Sequence, residues 1–106
     1  MSISMTINEQ NMASSMLSQS LLGTISPNFR RVAASFSEDR WKIGFWLESE
    51  DEIDREEIDD AMGDFSGLIL DMENPPSEIE AITEICGDFL PMLDPSDWRI
   101  VFLRRE

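Results

Sequence analysis

The sequence predicts an α+β fold, a two-layer sandwich in which two helices cover one face of a mostly antiparallel four-stranded sheet. Its 106 residues, 42% of them apolar, suffice for a single acidic domain with one core, spanning residues 1–106. Two segments repeat apolar residues at helical spacing, and four shorter segments alternate apolar and polar residues as strands do. Their order along the chain is α-β-β-α-β-β, which is typical of helices packed on one side of a sheet.

The first helix is expected from about Ile7 to Leu22. Thr6 and Glu9 have the spacing of a capping box, in which each side chain satisfies a backbone N–H of the other residue. Gly23 can adopt the left-handed conformation that commonly ends a helix. The apolar stripe that should face the core consists of Met12, Ala13, Met16, Leu17 and Leu21.

A β-hairpin should follow, with strands near residues 31–36 and 41–48 and a polar turn at residues 37–40 between them. Its apolar face is formed by Val32, Ala34, Phe36, Trp41, Ile43, Phe45 and Leu47. Trp46 falls on the opposite face of the hairpin. Either the proline-containing loop through Phe89 and Leu93 covers this indole, or Trp46 is exposed and anchors a partner.

The second helix should start near Ser49, because Ser49 and Glu52 again have capping-box spacing. Carboxylates in its first turn favour the positive end of the helix dipole. Its apolar face is formed by Ile58, Ala61, Met62, Phe65, Leu68 and Ile69. Its opposite face carries Glu52, Glu56, Asp59 and Asp60.

Two more strands are expected after the break at Asn74-Pro75-Pro76. The third runs from about Glu78 to Ile85, although its Glu, Ala and Ile residues also tolerate a helix. Residues 87–97 should form a loop. The last strand, from Trp98 to Arg105, has apolar residues on both faces, which indicates an interior position in the sheet.

The net charge of −14 is concentrated in the middle of the chain, because residues 48–97 alone carry a net charge of −17. Such a surface repels nucleic acids and anionic membranes, so we expect neither as a partner. It suits a basic protein partner, and the alternative is that the charge serves only solubility. Ten of the seventeen residues from Glu48 to Asp64 are acidic and only Arg55 is basic.

Clustered acidic residues on a helix repel one another by roughly 0.2–0.5 kcal/mol for each i,i+4 pair. A purely structural helix would intersperse lysines, so the cluster indicates a binding surface, and the alternative is a solvated face. The predicted partner-binding residues are Glu48, Asp51, Glu52, Glu56, Asp59 and Asp60, together with Trp46.

Catalysis is not expected, since the chain has no histidine and no tyrosine to act as a general acid or base. Cys86 has no activating histidine, and its neighbours Glu84 and Asp88 disfavour a thiolate. Carboxylate pairs such as Glu52 and Glu56 have no evident apolar pocket that would raise a pKa. No metal site and no cofactor are expected, and the stretch from Asp51 departs from the calcium-loop pattern.

The expected location is the cytoplasm. A single cysteine allows no internal disulfide and suits a reducing compartment. The start, MSISMTINEQ, lacks a cationic region followed by an apolar core, so no signal peptide is expected. No apolar run approaches the roughly 20 residues that span a bilayer.

Three stretches carry a resemblance to a known group: LLGTISPNFR (residues 21–30), WKIGFWLE (41–48) running into DREEI (54–58), and WRIVFLRRE (98–106). Together they resemble the small acidic bacterial immunity proteins of polymorphic toxin and contact-dependent growth inhibition systems. The resemblance covers most of residues 21–106. It implies a cytoplasmic antidote that binds a nuclease-like toxin domain and blocks its active site.

No contact residues can be carried over from this resemblance, because immunity surfaces diverge with their toxins. The predicted binding residues therefore follow from charge alone. The alternative function is an acidic adaptor or regulatory subunit without a toxin partner, and one form of it is a homodimer joined through an exposed strand edge. The sequence predicts no oligomeric state.

Overall fold

A computed structural model describes residues 6–37 and 39–105. These residues form two helices and four strands in the order α-β-β-α-β-β: α1 (Ile7–Ser20), β1 (Phe29–Ser37), β2 (Arg40–Leu47), α2 (Glu52–Ile69), β3 (Glu78–Ile85) and β4 (Arg99–Leu103). The predicted α+β class is confirmed. The third strand has the predicted bounds, and the helical alternative for that segment is wrong.

The sheet is mixed, which corrects the expectation of a mostly antiparallel sheet. Its strand order is β3-β2-β1-β4. β1 pairs antiparallel with β2 and with β4, whereas β2 and β3 run parallel. β2 and β3 run parallel because α2 connects them. The helix carries the chain back to the end of the sheet at which β2 started, and β3 starts from that same end.

The β1–β2 hairpin has the predicted register. Cα partners include Val32 with Phe45, Ala34 with Ile43, and Phe36 with Trp41, so the apolar alternation of both strands falls on one face. The predicted turn includes Glu38, which lies outside the described residues. β1 begins two residues earlier than the alternation indicated, at Phe29.

The two helix starts differ in how well the sequence predicted them. The capping box of α1 is confirmed, since Thr6 Oγ1 accepts from the Glu9 N–H at 3.1 Å and Glu9 accepts from the Thr6 N–H at 3.0 Å. Gly23, with φ of +82°, supplies the predicted left-handed turn after α1. The N-cap of α2 is Asp51, which accepts from the Asp54 N–H at 3.0 Å, so the prediction of Ser49 is wrong.

Asn28 explains why Ser49 does not cap α2. Its amide oxygen accepts from the Ser49 N–H at 2.9 Å and from Ser49 Oγ at 3.1 Å. Its amide nitrogen donates to the Ser49 carbonyl at 2.8 Å and to the buried carboxylate of Asp54 at 2.9 Å. These bonds hold Ser49 beside the start of β1, so the helix begins after the next carboxylate.

The core lies between the helices and the inner face of the sheet. Both helices contribute one apolar stripe, and the strands contribute the alternating residues predicted for the hairpin. The buried cluster consists of Ala13, Leu17, Leu21, Phe29, Val32, Ala34, Trp41, Ile43, Phe45, Leu47, Ile58, Ala61, Phe65, Ile69 and Met72.

β4 is an edge strand, so the prediction of an interior position is wrong. Its register against β1 shifts between Val32 and Ala33, which leaves Val101 as an extra residue on β4. Through this irregularity, both Val101 and Phe102 pack against the core cluster. Ile100 and Leu103 remain about half exposed. The irregularity explains how an edge strand can appear apolar on both faces.

Candidate protein-binding site

The outer face of the sheet is covered by the connection between β3 and β4, residues 86–98, here called the outer connection. β3 and β4 run in the same direction, so the chain must cross the sheet from the end of β3 to the start of β4. Arg30 Nη1 donates to the carbonyls of Cys86 at 2.6 Å and Asp88 at 2.8 Å. Arg31 Nη1 donates to the Pro91 carbonyl at 2.7 Å. Two neighbouring residues of β1 therefore hold the outer connection in place.

Trp46 is buried beneath the outer connection, with 4% of its surface exposed. Its indole N–H donates to Glu84 at 3.0 Å, and its ring meets Trp98 edge-on with 5.7 Å between ring centroids. The Arg31 guanidinium lies 4.2 Å from the ring centroid, in a cation–π contact. The sequence left open whether Trp46 is covered by the loop or exposed as an anchor for a partner, and the structure shows it covered. Its assignment as a partner contact stays a prediction.

The predicted cover was partly misassigned. Trp98 and Arg31, rather than the side chain of Phe89, lie against the indole. Phe89 is 91% exposed and Leu93 is half-buried. Burial lowers the pKa of the Arg31 guanidinium below its ordinary value.

The acidic face of α2 is exposed, as predicted. The helix buries Ile58, Ala61, Phe65 and Ile69 against the core, which turns the opposite stripe to solvent. That stripe, called the acidic helix face below, consists of Glu52, Glu56, Asp59 and Asp60, all exposed. Within the described part of the chain, no hydrogen bond or ion pair engages any of these four carboxylates.

The two flanking acidic residues have roles inside the molecule. Glu48 forms an ion pair with Arg104 at 2.8 Å, and Asp51 caps α2. Both side chains remain exposed enough to contact a partner as well. The structure therefore gathers all six predicted acidic residues on α2 and the segment leading into it. Trp46 lies apart from them, because the sheet separates its indole from α2.

Arg55 is the basic residue nearest to the acidic helix face. Its guanidinium donates to both carboxylate oxygens of Glu50, with the Nη2–Oε2 distance at 2.8 Å. This hydrogen bonding lowers the pKa of the Glu50 carboxyl below its ordinary value and raises the pKa of Arg55. Asp59 adds a weaker attraction to Arg55. The positive charge of Arg55 therefore offsets mainly the charge of Glu50 and not the charges of the acidic helix face.

Sequence reasoning missed the anchoring role of Arg30 and Arg31 and the exposure of the outer connection. Phe89 is 91% exposed and Met92 is 96% exposed. A signal did exist, because two large apolar residues stand among prolines and aspartates in a segment with no periodicity. The sequence alone does not show which of its apolar residues turn inward.

The clefts found among the described residues are open surface features. One of about 560 Å³ is lined by Ser37, Asp39, Arg40, Ser77 and Glu78 near the β1–β2 turn. Another, of about 240 Å³, lies between α2 and β3 and includes Arg55 and Asp59. Over residues 6–37 and 39–105, no cluster of three or more metal-ligating side chains occurs. In the same residues, no helix is long and apolar enough to cross a membrane.

A small α+β domain that presents an unpaired acidic helix face has the arrangement of a protein-binding module. A family profile described as MafI2 immunity protein matches residues 10–106. The match spans most of the chain, so the chain belongs to the MafI2 immunity protein family. A search among curated proteins finds no match to this sequence.

Membership in this family implies an immunity function with a toxin as partner. It confirms the coarser part of the resemblance seen in residues 21–106, namely a bacterial immunity protein. It also favours immunity over the adaptor alternative. Immunity protein families are generally non-enzymatic, in keeping with the absence of histidine and tyrosine from the sequence.

Proposed function

We propose that this immunity protein neutralises a nuclease toxin domain by placing the acidic helix face over the basic cleft that binds nucleic acid. The observation that carries this proposal is four exposed carboxylates on one side of α2 that form no ion pair with any of residues 6–37 and 39–105. A nuclease must present basic groups to a polyanionic substrate. An acidic helix can occupy the same groups and exclude the substrate.

The distribution of basic residues supports a use for this face. Arg30 and Arg31 hold the outer connection, and Arg104 pairs with Glu48. Arg40 pairs with Glu78 at 3.2 Å, and Arg55 on α2 itself is engaged mainly by Glu50. Each of these arginines thus has a partner other than the four carboxylates of the acidic helix face. A basic partner protein would supply the positive charge that the acidic helix face lacks.

The proposed setting is the bacterial cytoplasm, in a polymorphic toxin system of the contact-dependent growth inhibition type. A cell that makes such a toxin, or receives it from a neighbour, needs the antidote where the nucleic acid substrate is. Speed matters in this setting, because the toxin acts from the moment it enters. Complementary charge raises association rates by roughly 10–10³.

The test compares two quadruple lysine variants with the same change in charge. The first replaces the acidic helix face: Glu52→Lys, Glu56→Lys, Asp59→Lys and Asp60→Lys. The control replaces four exposed acidic residues outside both α2 and the outer connection: Asp71→Lys, Glu73→Lys, Glu78→Lys and Glu80→Lys. Each is mixed with the purified toxin domain encoded beside the gene for this chain, and association and dissociation rates are measured at several salt concentrations.

The first variant should associate more slowly by a factor of roughly 10–10³ at 0.01 M salt. The loss should shrink at 1 M salt, where the Debye length falls from about 30 Å to about 3 Å. Its melting temperature should stay close to native, because the lysines repel one another as the carboxylates did but attract the acidic residues that remain around them. The control should lose far less. If the first variant associates at the native rate at low salt, the acidic helix face is only a solvated surface.

A further inference from the structure

The outer connection has a backbone fixed at three points. Buried Arg30 binds the carbonyls of Cys86 and Asp88, and buried Arg31 binds the carbonyl of Pro91. Hydrogen bonds from charged donors are stronger than those between neutral groups. A turn closes the far end, where the Asp97 N–H and the Trp98 N–H both donate to the Asp94 carbonyl. The segment is therefore an ordered feature of the surface rather than a loose loop.

This fixed backbone displays two large apolar side chains. Phe89 directly follows the bound carbonyl of Asp88, and Met92 directly follows that of Pro91. They are 91% and 96% exposed, whereas Leu90 and Leu93 turn partly inward. Single exposed apolar residues are common on proteins. Two at such exposure, each next to an anchored carbonyl, form a preorganised apolar surface.

The charge around these side chains indicates which partner they suit. The outer connection carries Asp88, Asp94 and Asp97 and no basic residue. Its first residue adjoins the end of β2, because the Cys86 N–H donates to the Leu47 carbonyl at 2.7 Å. A Cβ added at Gly87 would lie 3.6 Å from the Glu48 carbonyl. Gly87, two residues before Phe89, thus lies beside Glu48, the first of the predicted acidic contacts.

We propose that Phe89 and Met92 are the apolar anchors of the toxin interface and insert into an apolar pocket rimmed by basic residues. This inference rests on the proposed function, since the toxin domain is the partner in both. Aromatic residues are enriched among the few contacts that dominate binding, and methionine adapts to irregular pockets. A preformed backbone reduces the ordering cost of binding.

The two parts of the surface then act on different rate constants. The acidic helix face draws the toxin domain in and governs association, as surface charge does in other complexes. Phe89 and Met92 resist separation and govern dissociation, which is where most effects of contact residues on affinity are found.

The test is a pair of double variants bound to the same purified toxin domain. One is Phe89→Ser with Met92→Ser. The matched control is Met12→Ser with Leu70→Ser, two side chains that are 51% and 73% exposed in the helical layer, across the sheet from the outer connection. Dissociation rates, association rates and melting temperatures are measured for both.

The Phe89/Met92 variant should dissociate at least about tenfold faster, with an association rate within about twofold of native and an unchanged melting temperature. The control should dissociate at the native rate. A native dissociation rate for the Phe89/Met92 variant, or equal acceleration in the control, overturns the anchor inference and leaves the role of the acidic helix face intact. If the unmodified chain does not bind the toxin domain at all, the proposed function fails and the anchor inference fails with it.

Discussion

Gly44, in the middle of β2, lies directly beneath the ring of Trp46, which is two residues later in the same strand. A Cβ added at Gly44 would lie 2.5 Å from Trp46 Cζ3, which real side chains do not tolerate. Both residues point to the outer face, so the absence of a side chain at Gly44 allows the indole to lie flat along the strand. This is a packing requirement rather than a requirement for an unusual φ.

Gly44→Ala should therefore destabilise the protein by about 1–3 kcal/mol, as overpacking of a dense interior does. The matched control is Gly63→Ala in α2, where an added Cβ meets nothing within 4 Å. The control should gain about 0.5–1 kcal/mol, because alanine is the better helix former. Urea unfolding followed by tryptophan fluorescence measures both. Equal stability of the two variants would show that Trp46 does not lie over Gly44.

The environment of Trp46 also marks the limit of sequence reasoning at the residue scale. Alternation along β2 correctly places Trp46 on the face away from the helices. The indole is covered by Arg31, the cross-strand partner of Trp46 in the hairpin, and by Trp98, which is distant along the chain. No local pattern predicts that an arginine will be buried against an indole, because arginine is usually exposed.

At the scale of elements, helix α2 depends on how its first turn is capped. Asp51 accepts from the Asp54 N–H, whereas Ser49 is bound by Asn28. Asp51→Ala should cost about 0.5–2 kcal/mol of stability, with lower helix content on partial unfolding. Ser49→Ala loses only a hydroxyl that bonds to the exposed Asn28 oxygen, so it should cost less. Thermal unfolding by circular dichroism compares the two, and a larger loss for Ser49→Ala would assign the cap to Ser49.

Element types were predictable because each segment has a clear period. The capping box at Thr6, the alternation of the hairpin and the stripe of α2 each depend on neighbours within one element. The parallel pairing of β3 was not predictable in the same way, since it depends on which edge the crossover reaches. The edge position of β4 was not evident from the sequence because of the irregularity at Val101, where two consecutive apolar residues both face the core and so interrupt the alternation expected of an edge strand.

The candidate site was predictable in part for a similar reason. Helical spacing alone puts Glu52, Glu56 and Asp59 on the exposed side of α2. The ion pairs of Glu48 with Arg104 and of Glu50 with Arg55 were not visible in the sequence pattern. Phe89 and Met92 were not predicted as contacts, because their exposure depends on three hydrogen bonds that arise from β1.

At the scale of the whole molecule, a net charge of −14 on 106 residues sets a standing repulsion within the fold. Raising NaCl from 0.01 M to 1 M should screen it and raise the melting temperature by about 4 °C or more, which corresponds to about 1 kcal/mol for a domain of this size. The acidic helix face variant has a net charge of −6, because four reversals add eight to −14. It should show a smaller rise, and a melting temperature that falls with salt in the native chain would contradict the explanation.

The pairing of β4 with β1 has a consequence for synthesis. Arg31 pairs with Leu103 in the sheet, and Trp46 packs against Trp98. Residues of β1 and β2 therefore have contacts with residues that are synthesised much later. At about 5–20 residues per second, translating the 52 residues from Trp46 to Trp98 takes roughly 3–10 s. For that interval the nascent chain holds Trp46 uncovered and β1 with an open edge. A cell that needs the antidote at once must therefore rely on molecules it finished earlier.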